Sequence, residues 1–327
     1  MSFGAMSGTR PSSASDALDP RVGLVVAAFA AVYVVWGSTY LAIRFAIESI
    51  PPLFLGSVRF LIAGSLLYGW ALVRGVSRPT RLHWRNAAIA GGLMLGGGNG
   101  AVVVAEQWVP SGLTAVLIAC VPLWMVVFDA AFGSKIRPSG RAQLGLLVGF
   151  LGIILLTGAP GIGDGGLMQA VGVVLLIGAS ASWAAGSLYQ RHVPVHPDPM
   201  LWVSLQMIGG GALLAVASAL AGEVPDIHVG QMTGRSLAAL GYLIVFGSLI
   251  AYSAYVWLLR VSTPARVGTY AYVNPVIALV LGWALAGEPI SLRSIVAAAV
   301  VLASVIVIMS ENRAAQIRGV RLRQVGR

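Results

Sequence analysis

The sequence predicts an all-α integral membrane protein: ten transmembrane helices forming two inverted five-helix repeats around a central cavity. Three observations lead there. Hydrophobic residues make up 57% of the 327 and charged residues 10%, against roughly a quarter charged in soluble domains, and the mean hydropathy is +0.86. Ten long apolar runs fill the chain almost end to end. The second five runs echo the first five in order.

The segment 1–21, rich in Ser, Gly, Pro and Ala, reads as a disordered cytoplasmic tail. The first apolar run is too long for the core of a cleaved signal peptide and has no basic start before it. Spans are expected at 22–47, 53–73, 87–105, 113–132 and 144–158, a first repeat covering 22–158. The second repeat covers 167–310, with spans at 167–189, 200–221, 236–259, 267–286 and 295–310, and a basic cytoplasmic tail follows at 311–327. Each run approaches the roughly 20 residues needed to cross about 30 Å of hydrocarbon, which leaves no room for a soluble domain. Glycines concentrate inside the runs, where small residues let membrane helices approach closely.

Lys and Arg are retained on the cytoplasmic side of a membrane. Placing the amino terminus inside leaves only Arg235 and Arg293 outside, puts Arg44 and Arg59 within spans, and sends every other basic residue to the cytoplasmic face. Both termini are therefore expected in the cytoplasm. This bias accounts for the net charge of +10 without nucleic acid as a partner. Cys120, the single cysteine, excludes an intrachain disulfide and reads as a packing residue.

Laying Trp183 on Trp36 sets WAAGSLYQR over WGSTYLAIR and also matches Pro199 with Pro52 and Ser204 with Ser57. Later in each unit Pro275 falls on Pro122. Because each unit holds an odd number of spans, consecutive copies insert with opposite orientation, a transporter design that places substrate at the repeat interface. On three segments the chain resembles the EamA branch of the drug/metabolite transporter superfamily: WGSTYLAIRFAIESIPPLFLGSVRFLIAG, GGGNGAVVVAEQWVPSG and GTYAYVNPVIALVLGWALAGEPIS. The resemblance covers residues 22–310 and implies ten helices, two EamA repeats, a bacterial inner-membrane location and export of amino acids or other small metabolites.

Intramembrane ionisable residues cost roughly 2.5–3.5 kcal/mol or more near a helix centre, so Arg44, Arg59, Glu106 and Asp129 need explanation. Trp36, Tyr40 and Arg44 recur every four residues along one helical face. Facing a cavity, the two rings would meet apolar or cationic groups while Arg44 draws a carboxylate. The alternative is that Arg44 snorkels to headgroups or pairs with Glu48. Arg59 and Glu106 read as an outer gating pair, and Asp129 as an interfacial partner of Lys135 and Arg137. The GGGNG run at 96–100 lacks the lysine and hydroxyl of a phosphate loop, so its glycines are expected to pack or unwind and leave Asn99 facing the cavity. Pro122 and Pro275 are the expected hinges. Trp183 with Ser187, Ser248 with Tyr252 and Tyr255, and Tyr270 with Asn274 complete the expected cavity wall. Gly145 and Gly149 satisfy GxxxG, Ala299 and Ala303 supply small residues on the corresponding helix of the second repeat, and these serve either packing within the fold or the seam of a homodimer.

The expected function is a secondary transporter of small amphipathic metabolites, amino acids above all, with proton-coupled drug or metabolite efflux as the alternative. The lipid bilayer and a small-molecule substrate are its expected partners. No cofactor, metal or catalytic residue is expected, because His83, His192, His196 and His228 fall in connections and no HExxH or GxSxG signature occurs. A channel would need a ring of like charges or a carbonyl filter, and neither is visible.

Overall fold

A computed structural model describes residues 20–132, 140–157, 166–262, 267 and 269–307, which form helices joined by short connections, with no strand among them. The side chain of Asp129, the connection carrying Lys135 and Arg137, and most of the two tails lie outside the described residues. Seven helical stretches are long and apolar enough to cross a membrane: 23–46, Pro52–Val73, Arg81–Ala105, Ser111–Phe128, Gly166–His192, Pro199–Leu220 and Gly234–Leu258. Gly140–Thr157 and the shorter apolar helices Val273–Ala286 and Leu292–Val307 accompany them.

The first helix, α1 (Pro20–Ala46), starts two residues earlier than the apolar pattern predicts, with a proline in its first turn, where the missing N–H costs nothing. After α2 (Pro52–Val73), α3 (Arg81–Gly91) is fastened at its start by a reciprocal capping box between Thr80 and His83. It continues into a π-helical segment, Gly92–Asn99, and then α4 (Gly100–Ala105). Next come α5 (Ser111–Ile118), α6 (Val121–Phe132), α7 (Gly140–Thr157), α8 (Gly166–His192) and α9 (Pro199–Leu220). In the second half α10 (Gly234–Tyr242) runs through another π segment, Leu243–Tyr252, into α11 (Ser253–Val261). The chain closes with α12 (Tyr270–Ala286) and α13 (Leu292–Val307). Laying Tyr252 on Asn99 brings the ends of the two π segments together, so each half interrupts the corresponding helix at the same place.

Two of the pairings between the halves are fastened by a glutamate at a helix start. Helix α2 packs along α9, and the carboxylate of Glu223, just beyond the end of α9, accepts from the Leu53 and Phe54 backbone N–H groups at 3.0 and 2.8 Å. Helix α12 packs along α5 and ends at Gly287, whose left-handed φ of +65° turns the chain. That turn delivers Glu288, which accepts from the N–H groups of Ser111 and Gly112 at 2.8 and 3.1 Å. Both pairs are therefore antiparallel. Each receiving helix also begins beside a proline, Pro52 or Pro110, so the glutamate meets the first N–H groups left without partners.

Lipid offers little hydrophobic drive for helix association, so close van der Waals packing must hold the bundle. The tightest crossing is α3 on α9, where a methyl placed on Gly91 would lie 2.1 Å from the Gln206 carbonyl oxygen. Gly149 and Gly152 of α7 are in close contact with Ser304 and Val301 of α13. Gly149 of the GxxxG pair thus packs within the fold, whereas Ala299 and Ala303 of α13 are exposed and face away from that contact. Leu66, Leu213, Val216 and Trp283 face outward as an apolar exterior suited to lipid.

Candidate functional site

A cavity opens where α1, α2, both π segments, α5, α8, α9 and α12 meet. Eight of the residues expected from the sequence line it: Trp36, Tyr40, Asn99, Trp183, Ser248, Tyr252, Tyr270 and Asn274. The wall is otherwise largely apolar, with Ile43, Phe60, Leu95, Val102, Ile118 and Met207.

Trp36 is the hub. Its ring centroid lies 5.0 Å from that of Tyr255, 5.2 Å from Tyr270, 6.3 Å from Tyr252 and 6.4 Å from Trp183. Edge-on and tilted geometries dominate, as the ring quadrupole favours. The indole N–H donates to the Gly247 carbonyl at 3.3 Å, fastening α1 to the second π segment. Tyr255 supports this cluster from behind and does not line the cavity. Ser187 is buried one turn beyond Trp183 and is likewise off the wall. In the orientation that satisfies its donors, the Asn274 amide donates to the Tyr270 and Tyr33 carbonyl oxygens at 3.2 Å each.

Two expectations about charge are exchanged by the structure. Arg44, read as a cavity residue, is exposed, lies off the cavity wall and donates to the Glu106 backbone carbonyl at 2.9 Å. It follows the same stripe as Trp36 and Tyr40, yet the third member has climbed past the cavity to the end of α1. Arg59, read as the gating partner of Glu106, is instead on the wall, where its Nε donates to Ser248 Oγ at 2.9 Å and its Nη1 to Asn99 Oδ1 at 3.5 Å. Glu106 is fully buried off the wall, and neither carboxyl oxygen has a hydrogen-bond partner. Its electrostatic surroundings are set by Glu288, Arg44 and Tyr40. Glu48 pairs with Arg235 at 3.3 Å, not with Arg44.

The two prolines also differ. The helix breaks at Ala119 and Cys120, immediately before α6 and Pro122, whereas Pro275 sits inside the unbroken α12 and lines the cavity. Only Pro275 reaches the cavity wall.

A buried polar chain behind the wall was not anticipated from the sequence. Tyr252 donates to Gln206 Oε1 at 2.8 Å, Gln206 donates to Gln190 Oε1 at 2.9 Å, and the Trp202 indole donates to the same oxygen at 3.2 Å. It fixes the Tyr252 hydroxyl from α8 and α9. The available signal was a lone amide inside an apolar run, since Gln206 must find partners at membrane depth. Of the histidines, His83 and His192 belong to the end turns of α3 and α8, while His196 is buried against Ser77 and its Nδ1 accepts from the Asp198 backbone N–H. No cluster of three metal-ligating side chains occurs among the described residues.

The sequence profile of the EamA-like transporter family matches residues 22–158 and again 170–310. The uncharacterized inner membrane transporter YedA of Escherichia coli is 40% identical over 283 residues, 85% of this chain and 88% of its own. The uncharacterized transporter YvbV of Bacillus subtilis is 24% identical over 86% of this chain and 90% of its own. A crystal structure 20% identical in sequence covers 89% of this chain and 99% of that one with a TM-score of 0.61, a likeness of fold. With two matched repeats and a cavity walled by both, the chain belongs to the EamA-like transporter family and is a membrane transporter.

Proposed function

We propose that the protein is a secondary transporter that exports small amphipathic metabolites, amino acids foremost, across the bacterial inner membrane by alternating access. In this reading it has ten membrane helices in two inverted repeats, 22–158 and 167–310, with both termini cytoplasmic. The observation that carries it is the aromatic cavity around Trp36, walled by both repeats and dressed with a few polar groups, the usual make-up of a small-molecule site. The antiparallel α2–α9 and α5–α12 pairs support the inversion. The uninterrupted α12 favours a bend at Pro275 and the π segments over two equivalent proline hinges.

Counterflow of a labelled amino-acid panel in proteoliposomes tests this. Wild type moves at least one member saturably, and Trp36→Ala or Asn99→Ala weakens half-saturation by roughly tenfold, the effect of losing about 1–1.5 kcal/mol of ring or polar contact. Transport of no panel member, or two unaltered variants, overturns the substrate class or the cavity assignment respectively.

One observation favours proton-coupled efflux as a second reading. Glu106 is buried with both carboxyl oxygens unpartnered, a situation better suited to the protonated form. Tyr40, Arg44 and Glu288 are the titratable or charged groups that act on it electrostatically. An imposed pH gradient should then drive uphill transport in wild type and not in Glu106→Gln; indifference of wild type to the gradient leaves the uncoupled carrier.

A further inference from the structure

Arg59 is the sole charged side chain on the cavity wall among the described residues. It is 4% exposed, and its guanidinium carbon lies 4.8 Å over the Phe60 ring. Asn99 closes the first π segment and Ser248 lies in the second, so the two hydrogen bonds of Arg59 bridge the corresponding interruptions of the two halves. Both acceptors are neutral. Its Nη2 makes no hydrogen bond among the described residues and abuts Gly247, where a methyl would stand 3.0 Å away. Among the described residues no carboxylate lies within ion-pair distance of it, since the one ion pair there joins Glu48 and Arg235.

Two neutral acceptors orient a guanidinium without neutralising it, and a buried charge without a counter-charge is strongly unfavourable. The described residues of the wall provide no anion, so the solute is the natural source of one. A guanidinium fork matches the two oxygens of a carboxylate, and Trp36, Tyr252 and Tyr270 on the same wall offer ring faces and edges to an apolar body. A solute ammonium would find no carboxylate among the described residues of that wall.

We propose that Arg59 is the carboxylate-binding residue of the cavity, and that the site takes small monocarboxylates with an apolar or aromatic body, the carboxylate being required and an ammonium dispensable. This rests on the transport reading and narrows its substrate class.

The melting temperature of purified full-length protein is measured at constant chloride with 3-phenylpropanoate, 3-phenylpropanamide, L-phenylalanine and L-phenylalaninamide. Both carboxylates are expected to raise it and to compete, each binding at least tenfold more tightly than its amide. Arg59→Gln removes the acid-over-amide preference, and Arg59→Lys keeps it at reduced affinity. If Arg59→Gln does not give monodisperse protein, Arg59→Lys and the wild-type acid and amide pairs decide. Failure of either acid to bind, equal binding of acid and amide by wild type, or an unaltered preference in a folded Arg59→Gln overturns the assignment. Counterflow that persists despite such a result leaves the transport reading standing, whereas carboxylate binding with no counterflow fails that reading alone.

Discussion

Two arginines of the first half carry opposite burdens. Arg44 reaches solvent and holds a backbone carbonyl, while Arg59 is sealed into the cavity wall. The four-residue spacing of Trp36, Tyr40 and Arg44 identifies one helical face correctly but is silent on depth, and depth decides which members meet the cavity. Glu106 makes the complementary prediction. A neutral amide fits a site where neither carboxyl oxygen is bonded, so Glu106→Gln should melt within about 1 kcal/mol of wild type or above it. Destabilisation beyond about 2 kcal/mol would reveal an interaction that the buried carboxylate makes. Glu288→Gln differs, because an amide nitrogen would then face one of the two N–H groups at the start of α5. A loss of about 1–2 kcal/mol is expected there, read as a lower melting temperature.

At the level of elements, the apolar periodicity gives the helices and misses their irregularities. A π segment needs no special residue, so Gly92–Asn99 and Leu243–Tyr252 are invisible to a pattern of hydrophobicity, although the glycine run within the first hints at unusual backbone. Deleting Gly97 should restore regular α-helix and rotate Asn99 off the cavity, abolishing transport while the chain still inserts. Transport at the wild-type rate would show that the bulge is dispensable. The proline pair is legible as a repeat and not as a mechanism, since one proline follows a helix break and the other lies in a continuous helix. Gly91 is where the bundle tolerates least. Its missing side chain faces the backbone oxygen of Gln206, which cannot swing away as a side chain would. Gly91→Ala should separate α3 from α9 at a cost of several kcal/mol, seen as aggregation during size exclusion or a large fall in melting temperature.

For the whole molecule, the duplication was legible in the sequence, since the family profile matches it twice, at 22–158 and 170–310; the inversion we propose follows from an odd number of spans per unit without knowledge of any contact. The pairing of halves was not legible, because Glu223 and Glu288 sit in connections where a carboxylate looks like ordinary solvated charge. Their role depends on helix starts far away in the chain. Orientation is open to direct measurement in a Cys120→Ser background. Single cysteines at the exposed positions of Glu48 or Arg235 should react with an impermeant maleimide on intact cells, and those at Arg81 or His192 only after permeabilisation. Reaction of both sets from the same side would refute the inverted arrangement.

The carboxylates of Glu223 and Glu288 also bear on how the chain is made. When the ribosome has finished only the amino-terminal half, the opening turns of α2 and α5 still have bare amide protons at the membrane surface, and their acceptors have not yet been synthesised. A nascent first half is thus chemically incomplete, a natural client for insertion factors or quality-control proteases. Expressed by itself it should be short-lived, and supplying the carboxy-terminal half as a separate polypeptide should rescue it.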